Sequence, residues 1–347
     1  MNLFVPGRLC LFGEHSDWAA EYSQINSKIE PGYAIVVGTN QGIYANVAAK
    51  AHLEFRTVNH RQVLKLAMKQ GQLLKIAQEG NFYSYVAGVA YQALVRYRVG
   101  GLTIDNYRMD LPLKKGLSSS AAICVLVARA FNRLYNLGLT IAEEMELAYR
   151  GERTTGSQCG RLDQACAYGS QPILMAFDGD RYKITPLTVV ENLYLIIVDL
   201  AGSKNTPKIL AQLNQCYPVA QNTFQAGVQH YLGKVNASLV RQAVLALQQG
   251  AAEIGTLMKQ AQAEFDRYLI PACDELNAPI LHQLLNHAPL QTYIFGGKGV
   301  GSQGDGTAQL IARDRHSREQ AIDLIRRDFP QMKCYRLNLP KTAHCLN

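Results

Sequence analysis

Several things are scarce in this chain, and each scarcity removes a class of protein. Only 18% of its residues are charged, against 48% hydrophobic, which excludes a disordered or charge-decorated scaffold and leaves a chain that folds compactly. Its eight cysteines, Cys10, Cys124, Cys159, Cys166, Cys216, Cys273, Cys334 and Cys345, include no C-x-x-C, and no Cys/His cluster has zinc spacing. Reduced thiols in a cytoplasmic protein are the expectation. No stretch approaches the roughly 18 to 20 apolar residues of a membrane span, and the opening Met-Asn-Leu-Phe-Val-Pro lacks the basic and apolar regions of a secretory leader. No membrane association is expected. Lysine and arginine never run beyond a pair (Lys114-Lys115, Arg326-Arg327), and no basic helix face is interleaved with aromatics. The net charge of +8 therefore suits an anionic partner without favouring nucleic acid, and no nucleic-acid partner is expected. There is no G-x-x-x-x-G-K-[ST] phosphate loop, no internal repeat and no low-complexity segment.

At 347 residues the chain is long for one domain. Apolar and alternating segments at Leu9 to Phe12, Tyr33 to Ala48 and Leu102 to Met109 read as strands, with others near Ile173 to Phe177 and Leu193 to Val198. Tyr83 to Arg98 has helical spacing and stops at Gly100-Gly101. Ile123 to Leu134 is an Ala-rich helix, and Thr140 with Glu143 forms a capping box for the next. Residues 207–287 are almost wholly helical in pattern, with breaks at Pro218, Gly233, Gly250 and Pro271. Strands at Tyr293 to Phe295, Ala308 to Arg313 and Cys334 to Leu337 then surround a helix at Ser317 to Arg327. This order gives an α+β chain of two domains, 1–195 and 196–347.

Three clusters carry chemistry. Pro112-Leu-Lys-Lys-Gly116-Leu117-Ser118-Ser119-Ser120-Ala121-Ala122 puts a glycine and small hydroxyl residues before a helix, which suits a cradle of backbone N–H groups for phosphate, or else an ordinary serine cap. Pro6-Gly7-Arg8 to Gly13-Glu14-His15-Ser16-Asp17 follows a strand with two carboxylates and an imidazole within four positions, a density suited to a polyhydroxylated ligand or to a solvated turn. In Glu152 to Gln164, the Asp163 carboxylate suits orienting or deprotonating a hydroxyl, and Glu152, eleven positions earlier, suits the metal that accompanies ATP. A fourth string, Gly299-x-Gly301-x-x-Gly304, matches a dinucleotide fingerprint but leads into a strand pattern at Thr307, so that reading is rejected.

Taken in chain order, the clusters resemble the motifs of the GHMP kinases. Pro6-Gly7-Arg8 to Gly13-Glu14-His15-Ser16-Asp17 is similar to the family's opening motif in its galactokinase form, and Pro-x-x-x-Gly-Leu-Ser-Ser-Ser-Ala-Ala resembles its phosphate-binding motif. Gly297-Lys-Gly299-Val-Gly301-Ser302 resembles the third motif, usually Gly-Ala-Gly-x-Gly-Gly, and the helix around Gly255 to Tyr268 resembles an element before it. The resemblance spans residues 6 to about 312. It implies an N-terminal domain like ribosomal protein S5 domain 2, a ferredoxin-like C-terminal domain and an active site between them. It implies transfer of the γ-phosphoryl group of ATP to a hydroxyl of a sugar-like acceptor, with Mg2+ as cofactor.

By the same resemblance Gly116, Leu117, Ser118, Ser119, Ser120 and Ala121 wrap the phosphates, and Ser120 and Glu152 hold magnesium. Asp163 serves the acceptor hydroxyl and Arg8 faces the transferring phosphoryl. Glu14, His15, Asp17, Gly160, Gly299 and Gly301 hold the acceptor. Two departures put galactose itself in doubt: Trp18 to Lys28 replaces the pattern after Asp17, and Ser302-Gln-Gly-Asp-Gly lengthens the third motif. Lys298, in place of a small residue, adds charge near the phosphates or points to solvent. Ser203 to Thr206 binds acceptor or phosphate, or caps the helix after Pro207. The alternatives are a silent sugar- and ATP-binding regulator, or a kinase for mevalonate or another non-sugar alcohol.

Overall fold

The computed structural model describes residues 1–58, 60–111, 116–157 and 159–342. In chain order the first elements are β1 (Asn2–Phe12), α1 (Ser16–Glu21), β2 (Gly32–Lys50), β3 (His52–Thr57), β4 (His60–Ala67), α2 (Gln70–Ala77) and α3 (Ser84–Arg96). Next come β5 (Gly101–Met109), α4 (Ser119–Leu134), α5 (Ile141–Thr154), a 3₁₀ helix at Asp163–Tyr168, β6 (Ile173–Asp178), β7 (Arg181–Pro186) and β8 (Leu193–Asp199). The remainder is α6 (Thr206–Asn214), α7 (Thr223–His230), α8 (Asn236–Ala246), α9 (Ala251–Leu269), α10 (Pro279–Leu285), β9 (Ile294–Gly299), β10 (Thr307–Ala312), α11 (Arg315–Asp328) and β11 (Lys333–Leu339).

The chain divides into two compact units, residues 1–8 with 37–170, and residues 9–36 with 171–347. In the first, the strand order is β4-β3-β5-β2, with β1 also paired to β2. Helices α3, α4 and α5 pack together, and buried Val86, Val89, Val125, Phe131 and Leu147 supply their core. The Thr140 hydroxyl accepts from the Glu143 N–H while Glu143 returns to the Thr140 N–H at 2.8 Å, so α5 opens with the capping box its sequence announces. In the second unit, residues 32–36 of β2 pair with β6, which pairs with β7. A separate antiparallel sheet has the order β11-β8-β10-β9. Against it α11 buries Ala321, Ile322 and Ile325 beside Ile196, Val198 and Leu310. The hairpin β3–β4, helix α2 and strand β7 are elements the sequence analysis leaves unassigned. In β7 the residues alternate between exposed and half-buried, with no buried face, so periodicity had little to report.

Among the described residues no helix is long and apolar enough to cross a membrane. No disulfide joins the described cysteines; Cys345, like Pro112 to Lys115 of the phosphate-binding string, lies outside the described residues.

Helices α3 and α5 approach closely enough that a Cβ on Gly88 would stand 2.3 Å from the Gly151 carbonyl oxygen. Backbone, unlike a flexible side-chain end, has little room to yield. Gly88→Ala is expected to lower unfolding free energy by roughly 1–3 kcal/mol. Gly71→Ala, in α2 with nothing within 4 Å of the added Cβ, should instead gain a few tenths to about 1 kcal/mol. Chemical denaturation of the two variants reads both signs.

Candidate active site

In the first unit, three segments far apart in sequence converge on one carboxylate oxygen. Arg8, near the middle of β1, turns its guanidinium to Asp163: Nε donates to Oδ1 at 3.1 Å and Nη2 pairs with the same oxygen. Nη1 donates to the Gly116 carbonyl at 3.0 Å, and the Arg8 N–H donates to the Leu117 carbonyl at 3.1 Å. One arginine thus fixes both the start of the phosphate-binding string and the acid. Ser118 adds a third donor, its hydroxyl lying 2.7 Å from Oδ1. With these donors all on Oδ1, the second oxygen, Oδ2, is the one left to face a ligand on this partly exposed side chain.

The backbone makes that convergence possible. Gly116 has φ +74° and Ser118 has φ +55°, two left-handed residues around buried Leu117 that bring the loop sharply into α4. Ser118 occupies the N-cap position without capping: its hydroxyl serves Asp163. The serine-cap alternative for this residue is thereby set aside. Ser119, Ser120 and Ala121 form the first turn, where N–H groups have no intrahelical acceptor and the positive end of a sixteen-residue helix dipole is added. Such an end suits an anion.

Glu152, near the end of α5, is 2% exposed. It accepts from Gln164 Nε2 at 2.7 Å and from the Ser120 hydroxyl. Burial first, and the nearby Asp163 carboxylate second, raise its pKa from 4.5 to about 7. A half-buried hydroxyl and a buried carboxylate side by side, both hard oxygen donors and the latter short of countercharge, fit a divalent cation such as magnesium. Burial also pushes the Cys159 and Cys166 thiols up, Cys166 to about 12, so neither is an activated nucleophile. Gly160 lies half-buried in the loop entering the 3₁₀ helix that carries Asp163.

The second unit holds the other expected residues. Glu14 is buried and paired with Lys298, which stands at 1% exposure in β9; the solvent-facing reading of Lys298 is corrected by its countercharge, which draws it inward. His15 has φ +67° at the start of α1 and accepts at Nδ1 from Trp18 Nε1 at 3.0 Å. An indole only donates, so a neutral His15 carries its proton on Nε2. Asp17 is half-buried in the first turn of α1. Gly299 ends β9 and Gly301 lies in the turn before β10. The dinucleotide string thus leads into a strand, as its sequence implies. Asn205 caps α6 by accepting from the Lys208 N–H at 3.1 Å, so the capping reading of that segment holds through Asn205.

Trp18 is the residue sequence reasoning missed. It opens the segment that departs from the galactokinase pattern, and its ring meets Tyr217 edge-on at 5.5 Å while Tyr22 stacks on Tyr217 at 5.0 Å. Its spacing of three from His15 on a helix start is the signal that could have found it.

The model for the GHMP kinases N terminal domain matches residues 84–170, which include α3, the phosphate-binding string, α5 and Asp163. Over those residues the chain carries a GHMP kinases N terminal domain. Among its relatives it is 31% identical to a galactokinase of Pyrococcus furiosus over 176 residues, 50% of this chain and 45% of that one. It is 25% identical to a galactokinase of Thermococcus kodakarensis over 342 residues, 90% of this chain and 92% of that one. For most of the curated relatives it matches, the chain spans about half their length. Its fold is that of the galactokinase of Lactococcus lactis solved with galactose, with TM-score 0.75, 17% identity and coverage of 98% and 93%. The mevalonate kinase of Methanococcus jannaschii is similar too, with TM-score 0.73, 15% identity and coverage of 99% and 98%. The mixed helix-and-sheet, two-domain fold expected from the motifs is the one found.

The raised pKa of Glu152 has a consequence for stability. Its folded value of about 7 exceeds its ordinary 4.5, so folding favours the protonated form. That contribution is fully present below about pH 4.5 and is lost as pH rises through about 7. Without divalent cations, native protein should lose on the order of 3 kcal/mol between pH 5 and 8 relative to Glu152→Gln. Denaturant unfolding at both pH values measures the difference.

Proposed function

We propose that this chain is a kinase that transfers the γ-phosphoryl group of ATP to a hydroxyl of a sugar-like acceptor. The observation that carries the reading is the meeting of Arg8, Ser118 and Asp163 at the positive end of α4. Phosphoryl transfer asks the protein for positioning and for positive charge around three oxygens, and little else. The N–H groups of residues 116–121 hold the phosphates, and Arg8 stabilises the charge that spreads over the transferring group. Ser120 and Glu152 would hold magnesium, which when bound would neutralise phosphate charge.

Asp163 presents Oδ2 to the acceptor hydroxyl. As the oxygen–phosphorus bond to the acceptor forms, the bond to the ADP oxygen breaks and the hydroxyl proton passes to the carboxylate. In the second unit, His15, Asp17, Gly299 and Gly301 are the residues that the resemblance to galactokinases assigns to the acceptor; the role of Glu14 is taken up below. The galactokinase relatives support a sugar, and the segment after Asp17 leaves its identity to experiment. Among the described residues no disulfide is formed, which suits a reducing cytoplasmic setting.

Asp163→Asn should lower kcat by about 10²- to 10⁴-fold if the carboxylate accepts the proton, and by less if it only orients the hydroxyl. ATP binding by calorimetry should persist. The acceptors to try are galactose, arabinose, fucose, uronic acids, N-acetylhexosamines, inositol, a heptose phosphate, mevalonate and homoserine. Unchanged turnover in Asp163→Asn would remove Asp163 from the mechanism.

A further inference from the structure

Among the described residues Lys298 is the most deeply buried cation, at 1% exposure, and Glu14, its partner, is 6% exposed. The ammonium also donates to the Gly299 carbonyl at 2.9 Å. On the other face of the same residue, the Gly299 N–H donates to Gln262 Oε1 at 2.7 Å. The Gln262 amide donates to Gln303 Oε1 at 3.0 Å and to Asp266 Oδ1 at 2.8 Å. Behind Glu14, Asn236 Nδ2 donates to its carbonyl at 3.2 Å and to the Ser16 hydroxyl at 2.9 Å. The opening motif and the third motif are thus joined within the second unit by a pair of buried charges, while the Asn236 and Gln262 side-chain amides hold the backbone of Glu14 and of Gly299.

Such a pair changes what Glu14 can do. A neutral sugar hydroxyl would have to compete with an ammonium already in place, in surroundings where charge-assisted contacts are much the stronger. Lys298, so enclosed, cannot itself reach a ligand. We propose that Lys298 is a positioning residue that sets acceptor specificity through Glu14. It turns the carboxylate into half of an internal ion pair that holds the Gly299–Gly301 backbone in place. The acceptor is then read by His15, Asp17 and that backbone, and needs no hydroxyl opposite Glu14. This rests on the kinase reading above.

The test compares Glu14→Gln, Lys298→Met and the double variant, following thermal unfolding together with kcat and KM for ATP and for the best acceptor. Each single change strands a buried charge, so both singles should melt lower and raise acceptor KM about 10-fold or more, with ATP KM moving less than about 3-fold. The double variant, with no charge to strand, should recover its melting temperature and bring acceptor KM back to within about 3-fold of native. A double variant that melts like the native protein but keeps the acceptor KM of Glu14→Gln would overturn the proposal, because Glu14 would then be touching the acceptor. Additive losses in melting temperature would overturn it too. If the native protein phosphorylates no acceptor, the kinase reading fails, and the unfolding comparison still decides whether the two charges act as a pair.

Discussion

One oxygen atom, Oδ1 of Asp163, sets the geometry of the first unit. It takes donors from Arg8 and Ser118, residues 155 and 45 positions away in the chain. Because the same guanidinium also binds the Gly116 carbonyl, the acid and the phosphate-binding turn cannot move independently. Everything chemical in that unit follows: the left-handed turn at Gly116 and Ser118, the half-buried Ser119 and Ser120 that open α4, and Glu152 held by Gln164, the neighbour of Asp163. A charge-spreading transition state needs electrostatics fixed in advance, and this is a fixed arrangement.

The second unit uses the same device with other residues. Glu14 and Lys298, 284 positions apart, are joined as Arg8 and Asp163 are, but out of contact with solvent. Buried pairs of this kind contribute little net stability against apolar replacements, while removal of one partner is costly. Their value is in register: each fixes which backbone lies beside which. Trp18 does the neutral equivalent by holding one tautomer of His15.

Much of this was legible beforehand, and the reasons differ by residue. The capping box at Thr140 and the helix at Ser84–Arg96 are local, so spacing alone reveals them. Arg8, Ser120, Glu152 and Asp163 could be singled out because they sit in dense motifs with small residues, and the structure brings them into one neighbourhood. What sequence could not give was direction. Ser118 looks like a helix cap in any string, and only the fold turns it to Asp163; Lys298 on a glycine-rich strand reads as a surface charge until Glu14 is found beneath it. The exposed alternation of β7 lacked a core face to announce it, and in the short β3 the buried Leu53 and Phe55 are interleaved with the charged Glu54 and Arg56.

The central claim is that the α4 end, Arg8 and Asp163 move a phosphoryl group from ATP to an alcohol. Phosphorus NMR of the protein with Mg·ATP and the acceptor series tests it most directly, since a phosphate monoester, ADP and inorganic phosphate are resolved from one another. The account predicts ADP and a new monoester appearing together with one of the acceptors. ATP left intact with every acceptor, or consumed only to inorganic phosphate, would contradict it.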